Sequence, residues 1–229
     1  LLPEGESNGV PVALLLAGAG PVDRDGNSYL VPGKCDSLAA LAEALAARGV
    51  ASLRYDKRGS GEAYALVRRE EDLVFADYVA DAVDALRALA SDGRFASVVV
   101  AGHGEGAVVG AAALADFLAR GLADGRDGRF GLALLCAPEE TALETIEREL
   151  SALPEDQRLE AAAILESLRE GRMTERPSPA LSDFFRPSIQ PYLSSELGYD
   201  LAAQLRRTTR PLLLVRGGRD AEGGQVGSG

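Results

Sequence analysis

The sequence has very few histidines and cysteines, and it has fewer basic than acidic residues. It contains one histidine and two cysteines in 229 residues, and 24 Lys and Arg against 35 Asp and Glu. Two cysteines cannot by themselves form a disulfide framework or a zinc cage, and their scarcity favours a reducing compartment. The net charge of −11 argues against binding to nucleic acid or an anionic membrane.

Long apolar runs are also missing. No stretch approaches the roughly 18 residues of a membrane span, and residues 1–5 lack the basic region of a signal peptide. We therefore expect no membrane span and a cytoplasmic location. The chain begins without Met, so a removed upstream signal peptide is the alternative.

Short apolar runs alternate with segments of helical periodicity, which predicts an α/β fold with a mostly parallel sheet between helices. Asp36 or Ser37 is expected to cap the first helix, and Gly49 to end it in a left-handed conformation. Further helices are expected over 75–90 and 107–118. The expected strands are 12–17, 50–55, 98–100, 131–136 and 211–216.

The most informative stretch is Ala101-Gly102-His103-Gly104-Glu105-Gly106. It lies between a predicted strand and a predicted helix, which is the setting of the nucleophile elbow G-x-S-x-G. The flanking glycines of that motif let strand and helix approach closely. Here the central residue is Gly104, so the nucleophilic side chain is absent. A glycine-rich turn of some other α/β protein is the alternative interpretation of this hexapeptide alone.

Composition divides the chain into three parts. Residues 1–138 are predicted to form the α/β core with the elbow, and 201–229 to return to that core. Residues 139–200 show helical periodicity interrupted at Pro154, followed by a run rich in proline and aromatics. A helical insert at this place suggests a cap or lid. Simple surface helices are an equally good interpretation.

Two further features have structural interpretations. Asp23, Asp25 and Asn27 have the spacing that opens a calcium loop, but Ser28 and Lys34 replace the expected glycine and glutamate, so we expect turn chemistry and no metal. Cys136 lies near the carboxyl end of a predicted strand. We expect it to be a buried structural thiol because no histidine is available to activate it.

Five motifs in order resemble those of bacterial α/β-hydrolase esterases, similar to the serine aminopeptidase-like hydrolases. They span nearly the whole chain, at 18–27, 53–59, 102–106, 185–192 and 217–220. The resemblance implies a carboxylic-ester hydrolase lineage with a Ser-Asp-His triad and no cofactor. It places the nucleophile position at Gly104 and the triad acid at Asp220. It makes the backbone N–H groups of Ala19 and Glu105 the oxyanion donors, with the Glu105 carboxylate behind the site or on the surface.

The departures from that family bear directly on activity. Serine is replaced by Gly104, and Ala19 stands where the first loop usually has serine. The family's terminal strands and the segment with the catalytic histidine have no counterpart among the elements expected in this sequence. The single histidine, His103, lies within the elbow, where we expect a packed or hydrogen-bonded side chain and not a base.

Three hypotheses follow. The chain is a degenerate esterase-like hydrolase that is inactive as given, a non-catalytic protein that binds an acyl or ester-like ligand, or a partial or altered sequence of an active esterase. Without a covering neighbour, the strand at 211–216 would expose its edge and could pair with a second copy of the chain.

Overall fold

The computed structural model describes residues 1–5, 8–125 and 127–218. Within these residues five parallel strands form one sheet in the order β2-β1-β3-β4-β5. The chain therefore has the α/β fold that the sequence predicts. The strands are β1 (Val10–Leu16), β2 (Ala51–Arg54), β3 (Phe95–His103), β4 (Phe130–Leu135) and β5 (Leu212–Val215).

Eight α-helices and three short 3-10 segments accompany the sheet in the described part of the chain. None of these helices is both long and apolar enough to cross a membrane. The helices are α1 (Ser37–Ala46), α2 (Phe75–Ser91), α3 (Glu105–Ala119), α4 (Ala142–Leu150), α5 (Glu155–Arg169), α6 (Ser182–Phe185), α7 (Gln190–Glu196) and α8 (Leu201–Arg207). The 3-10 segments are Gly61–Leu66, Glu70–Asp72 and Asp127–Arg129.

The chain divides into two compact units. The core unit comprises residues 1–64, 78–139 and the described residues from Leu201 onward, and it contains the whole sheet. Strands β1 and β4 are almost entirely buried, which explains why they are continuous apolar runs and not alternating ones. Strand β3 is buried mainly in its second half, from Val98 to Gly102. Helix α3 packs tightly on the sheet because Gly110 faces Val100, where an added Cβ would lie 2.8 Å from a methyl carbon.

The helical unit comprises residues 65–77 and 140–200 and has a hydrophobic cluster of its own. Pro154 separates α4 from α5, as the sequence predicts. The side chain of Gln190 is fully buried, accepts a hydrogen bond from Thr174 N and donates to the carbonyls of Thr174 and Phe185. In the same unit Arg186 donates to Glu70, which lowers the pKa of that carboxyl. The buried members of the cluster are Leu150, Ala161, Ile164, Leu165, Leu168, Leu181 and Phe185.

The start of α1 differs from the prediction. Asp36 occupies the cap position, but neither its side chain nor that of Ser37 caps the helix, and Asp36 has a left-handed backbone with φ of 44°. The carbonyl of Asp25 accepts from Leu38 N and Ala39 N instead. This substitute comes from a residue 13 positions earlier than Leu38, so the local sequence could not show it. Gly49 ends the helix region with φ of 77°, as expected.

Candidate active site

The candidate site lies where two neighbouring strands of the sheet end. Strands β1 and β3 are paired so that Leu16 lies opposite Gly102. Helical connections leave the sheet in opposite directions from this pair, because β2 flanks β1 while β4 flanks β3. The carboxyl ends of strands at such a switch point form the usual ligand crevice of an open α/β sheet. Residues 17–20 follow β1 and the elbow follows β3.

The elbow has the close approach that its glycines predict. A Cβ on Gly102 would collide with the backbone of Gly106 and Ala107, and a Cβ on Gly106 would lie 2.6 Å from the carbonyl oxygens of Leu16 and Ala17. Only glycine fits these two positions, because the colliding atoms are backbone atoms. The chain therefore retains the tight strand-to-helix turn of a nucleophile elbow.

Gly104 has φ of 53° and ψ of −124°, a conformation that residues with a side chain rarely adopt. Its N–H donates to Leu135 O at 2.9 Å, and its carbonyl accepts from Ala107 N at 2.9 Å. An added Cβ would meet nothing nearer than Gly18 Cα, at 3.9 Å. The predicted nucleophile position thus has the strained backbone of an elbow and no close contact where a side chain would stand.

The structure brings the predicted oxyanion residues to this point. Ala19 is exposed on the loop after β1, and its N–H makes no hydrogen bond to any described residue. Glu105 is the first residue of α3, so its N–H lies at the N-terminus of that helix. The Glu105 side chain is 12% exposed and pairs with Lys57, so its carboxylate lies behind the site and not on the surface.

The single histidine differs from the prediction. The side chain of His103 is exposed and makes no hydrogen bond to a described residue, whereas we expected a packed or hydrogen-bonded side chain. His103 is the last residue of β3, and its imidazole lies against Gly18: a Cβ there would be 3.1 Å from Nδ1. The second prediction to correct is Cys136, which is half-buried and not buried, because it leaves the sheet just after β4 with φ of 47°.

An ion-pair network holds the loop after β1 in place. Asp56 accepts from Arg24 N at 2.7 Å, from the Arg24 guanidinium at 2.6 Å and from Glu62 N at 2.9 Å. The hydrogen bond from the Arg24 guanidinium is the main reason why the pKa of Asp56 falls to about 2. Gly61 leaves room for this carboxylate, since a Cβ at Gly61 would collide with it.

The spacing that resembles a calcium loop forms a turn. The Asp23 carboxylate accepts from Asp25 N and Asn27 N, and Asn27 Oδ1 accepts from Cys35 N and Asp36 N. These side chains therefore hold the backbone of the loop. Across the described residues no group of three or more potential ligands could hold a metal ion.

Sequence reasoning missed the contacts of Lys57. Its side chain is 8% exposed, and its ammonium donates to Gly18 O and lies 3.3 Å from Glu105 Oε1. Lys57, Glu105 and Tyr55 line a cavity of about 20 Å³ behind the elbow. Burial raises the pKa of the Tyr55 hydroxyl, and Asp81 adds to the rise. One available signal was composition, because only Lys34 and Lys57 are lysines in a chain with 22 arginines.

The predicted triad acid cannot be placed. Asp220 lies outside the described residues, which end at Gly218, just beyond β5. The site assembled by the described residues therefore consists of the elbow around Gly104, the exposed Ala19 amide, the start of α3 and the buried pair of Lys57 and Glu105.

Comparison with known proteins agrees with this architecture. A model of the alpha/beta hydrolase family matches residues 13–226, so the chain belongs to that family. No curated protein matches it. The esterase Est1E from Butyrivibrio proteoclasticus with bound ferulic acid is 17% identical with a TM-score of 0.54, over 93% of this chain and 71% of that one.

Two other solved structures are similar. A second structure of Est1E has 16% identity and a TM-score of 0.51, over 94% of this chain and 70% of Est1E. A bacterial brefeldin A esterase, described as a homologue of human hormone-sensitive lipase, has 16% identity and a TM-score of 0.49, over 94% of this chain and 63% of its own. At these identities the likeness to Est1E supports the fold alone.

Proposed function

We propose that this chain is an α/β-hydrolase of the carboxylic-ester hydrolase lineage that performs no triad-based ester hydrolysis as given. The carrying observation is Gly104: the elbow keeps the backbone of a nucleophile position, yet no hydroxyl or thiol stands there. A triad also needs a base to take the proton of its nucleophile. The sequence has only His103, which sits inside the elbow itself.

Hydrolysis of 4-nitrophenyl butyrate and labelling by a serine-directed phosphonate test this proposal. The chain is expected to show no stoichiometric labelling. Any rate should be limited to the roughly 10³–10⁴-fold over water that oxyanion stabilisation and binding provide without a triad. Steady turnover together with one phosphonate per chain would show that another residue is the nucleophile.

A specific observation favours a second candidate function, the binding of an acyl or ester-like ligand. The exposed Ala19 N–H has no described hydrogen-bond partner and lies on the loop whose Gly18 approaches Gly104. An N–H in that state can donate to a carboxyl or ester oxygen. The missing side chain at Gly104 leaves the space beside it open.

Titration of the ¹⁵N-labelled chain with hexanoate or ferulate tests this binding. Ferulate is chosen because the structurally similar Est1E has been solved with ferulic acid. The amides of Ala19 and Glu105 are expected to shift with saturation, while that of the distant Gly93 serves as a control. Shifts spread evenly over the surface, or none at Ala19, would contradict the binding candidate.

A further inference from the structure

Lys57 is a buried lysine whose contacts converge on the candidate oxyanion hole. Its ammonium donates to Gly18 O, lies 3.3 Å from Glu105 Oε1 and sits 5.0 Å from the centre of the Tyr78 ring. A buried ammonium is costly unless carbonyl, carboxylate or ring partners replace its lost water. Here all three kinds of partner are present, so the charge is held in a defined place.

The Gly18 carbonyl is joined to the Ala19 N–H in one peptide plane. That plane is trans, so its C=O and N–H point in opposite directions. By holding the Gly18 oxygen, Lys57 fixes the direction of the Ala19 N–H, which points away from the ammonium. The Ala19 N–H itself has no described partner that could restrain it.

Lys57 also reaches the second predicted donor. Glu105 offers its carboxylate to Lys57, and the same residue begins α3 with the N–H that the family resemblance assigns to the oxyanion hole. Lys57 follows β2, Gly18 follows β1 and Glu105 follows β3. One ammonium therefore connects the ends of three adjacent strands at the place where the two donors stand.

We propose that Lys57 is a positioning residue that aims the Ala19 N–H at the oxygen of a bound carboxyl or ester group. The proposal rests on the acyl-ligand function proposed above. A lysine suits this place because its ammonium is a compact point charge on a flexible stem, whereas a guanidinium is a planar fork. The chain uses arginine at 22 of its 24 basic positions and lysine here.

The competing explanation is that the ion pair of Lys57 and Glu105 has a purely structural role. Two variants distinguish this explanation from the positioning role of Lys57. Glu105→Gln removes the charge of the carboxylate but leaves the ammonium on Gly18 O. The double variant Lys57→Met with Glu105→Gln removes the hydrogen bond to Gly18 O as well, without leaving a buried carboxylate unpaired. Lys34→Met is the matched control, because Lys34 is exposed and is the other lysine of the chain.

The first readout is the ¹⁵N–¹H residual dipolar coupling of Ala19 in the ligand-free, weakly aligned protein, which reports the direction of that N–H. Wild type, Lys34→Met and Glu105→Gln are expected to share one orientation at Ala19, and the double variant to depart from it. Couplings in β1 and β3 should agree in all four proteins, which shows that each is folded. An unchanged Ala19 coupling in the double variant would overturn the proposal.

The second readout is the Kd for hexanoate. Loss of an aligned donor to a carboxylate is expected to weaken binding by the double variant about tenfold relative to Glu105→Gln. Equal affinity in those two variants would overturn the positioning role. If wild type binds no hexanoate, the acyl-ligand function fails, and the dipolar coupling of Ala19 still decides whether Lys57 orients that peptide.

Discussion

At the scale of single residues, the main feature is a strand-to-helix turn that has the geometry of a nucleophile elbow and a glycine at its centre. Gly104 has no side chain for the turn to orient, yet its backbone has φ of 53°, and its N–H donates a hydrogen bond to Leu135 O. Gly102 and Gly106 cannot be replaced in this turn, because a Cβ at either position would collide with backbone atoms. The close approach of strand and helix therefore requires glycine at positions 102 and 106.

The substitution Gly104→Ser is expected to fold and to remain a poor esterase. The new Cβ would meet no atom nearer than 3.9 Å, so the cost is the backbone strain of about 1–3 kcal/mol. Without a base, the hydroxyl stays a weak nucleophile near pH 7. Hydrolysis of 4-nitrophenyl butyrate measures the result. Activity like that of a complete esterase would point to His103 or Glu105 as a base.

A second prediction at this scale concerns the pH dependence of the stability that Asp56 provides. Its folded pKa of about 2 lies below the unfolded value, so its contribution to stability is present above about pH 4 and disappears as the pH falls towards 2. Asp56→Asn should lower the free energy of unfolding by about 2 kcal/mol at pH 7. Urea unfolding of both proteins at several pH values measures this.

The matched control is Asp84→Asn, because Asp84 pairs with Arg87 on an exposed helix face. It should change the free energy of unfolding by less than about 0.5 kcal/mol. The difference between wild type and Asp56→Asn should shrink as the pH falls from 4 to 2. A difference that persists unchanged at pH 2 would show that the Asp56 charge is not its source.

At the scale of elements, the sequence predicts the sheet better than the connections. Strands β1 to β5 are predicted because buried parallel strands are continuous apolar runs, and their ends shift by only a few residues. Helix α8 is missed. The predicted side-chain cap of α1 is wrong, because the N–H groups of Leu38 and Ala39 donate to the carbonyl of Asp25 instead. That contact is fixed by tertiary structure.

In the candidate site, too, features set by neighbouring residues are predictable from the sequence, and contacts between distant residues are not. The elbow is predictable because its glycines are neighbours in sequence. The contact of Lys57 with Gly18 and Glu105 joins residues 39 and 48 positions apart, and no local pattern encodes it. The strand order that brings these residues together is likewise a result of packing.

The prediction at the scale of elements concerns the packing of α3 against the sheet at Gly106. Gly106→Ala would place a Cβ 2.6 Å from two carbonyl oxygens of β1 and the loop after it, so α3 must move away from the sheet. The expected loss in free energy of unfolding is about 3 kcal/mol. Gly93→Ala is the control, since a Cβ there meets nothing within 4 Å, and its effect should stay within about 0.5 kcal/mol. Equal urea midpoints for the two variants would contradict the tight packing.

At the scale of the whole molecule, the outer edge of β5 is the surface through which we expect two copies of the chain to associate. Leu212, Leu213, Leu214 and Val215 are 48%, 57%, 52% and 42% exposed, and among the described residues β5 pairs only with β4. An exposed apolar edge strand is a template for pairing with another chain. A homodimer through this edge stays a prediction.

Light scattering at rising concentration tests this association. The scattering mass should increase with concentration for the wild-type chain and increase less for Leu213→Lys, because a charge on the edge opposes pairing. Lys34→Met, distant in sequence, should behave as wild type. A strictly monomeric wild type, with amides of Leu212–Val215 exchanging as slowly as those of Val98–Val100, would show that the edge is covered.

The central claim is that the elbow holds no nucleophile, and the intact mass of the protein during reaction with 4-nitrophenyl butyrate tests it most directly. An esterase of the triad type passes through a covalent acyl-enzyme, whose mass exceeds that of the free chain by one butyryl group. The account predicts a single unmodified mass throughout the time course. A butyryl adduct that forms and then turns over would contradict it, and peptide mapping would identify the residue that carries it.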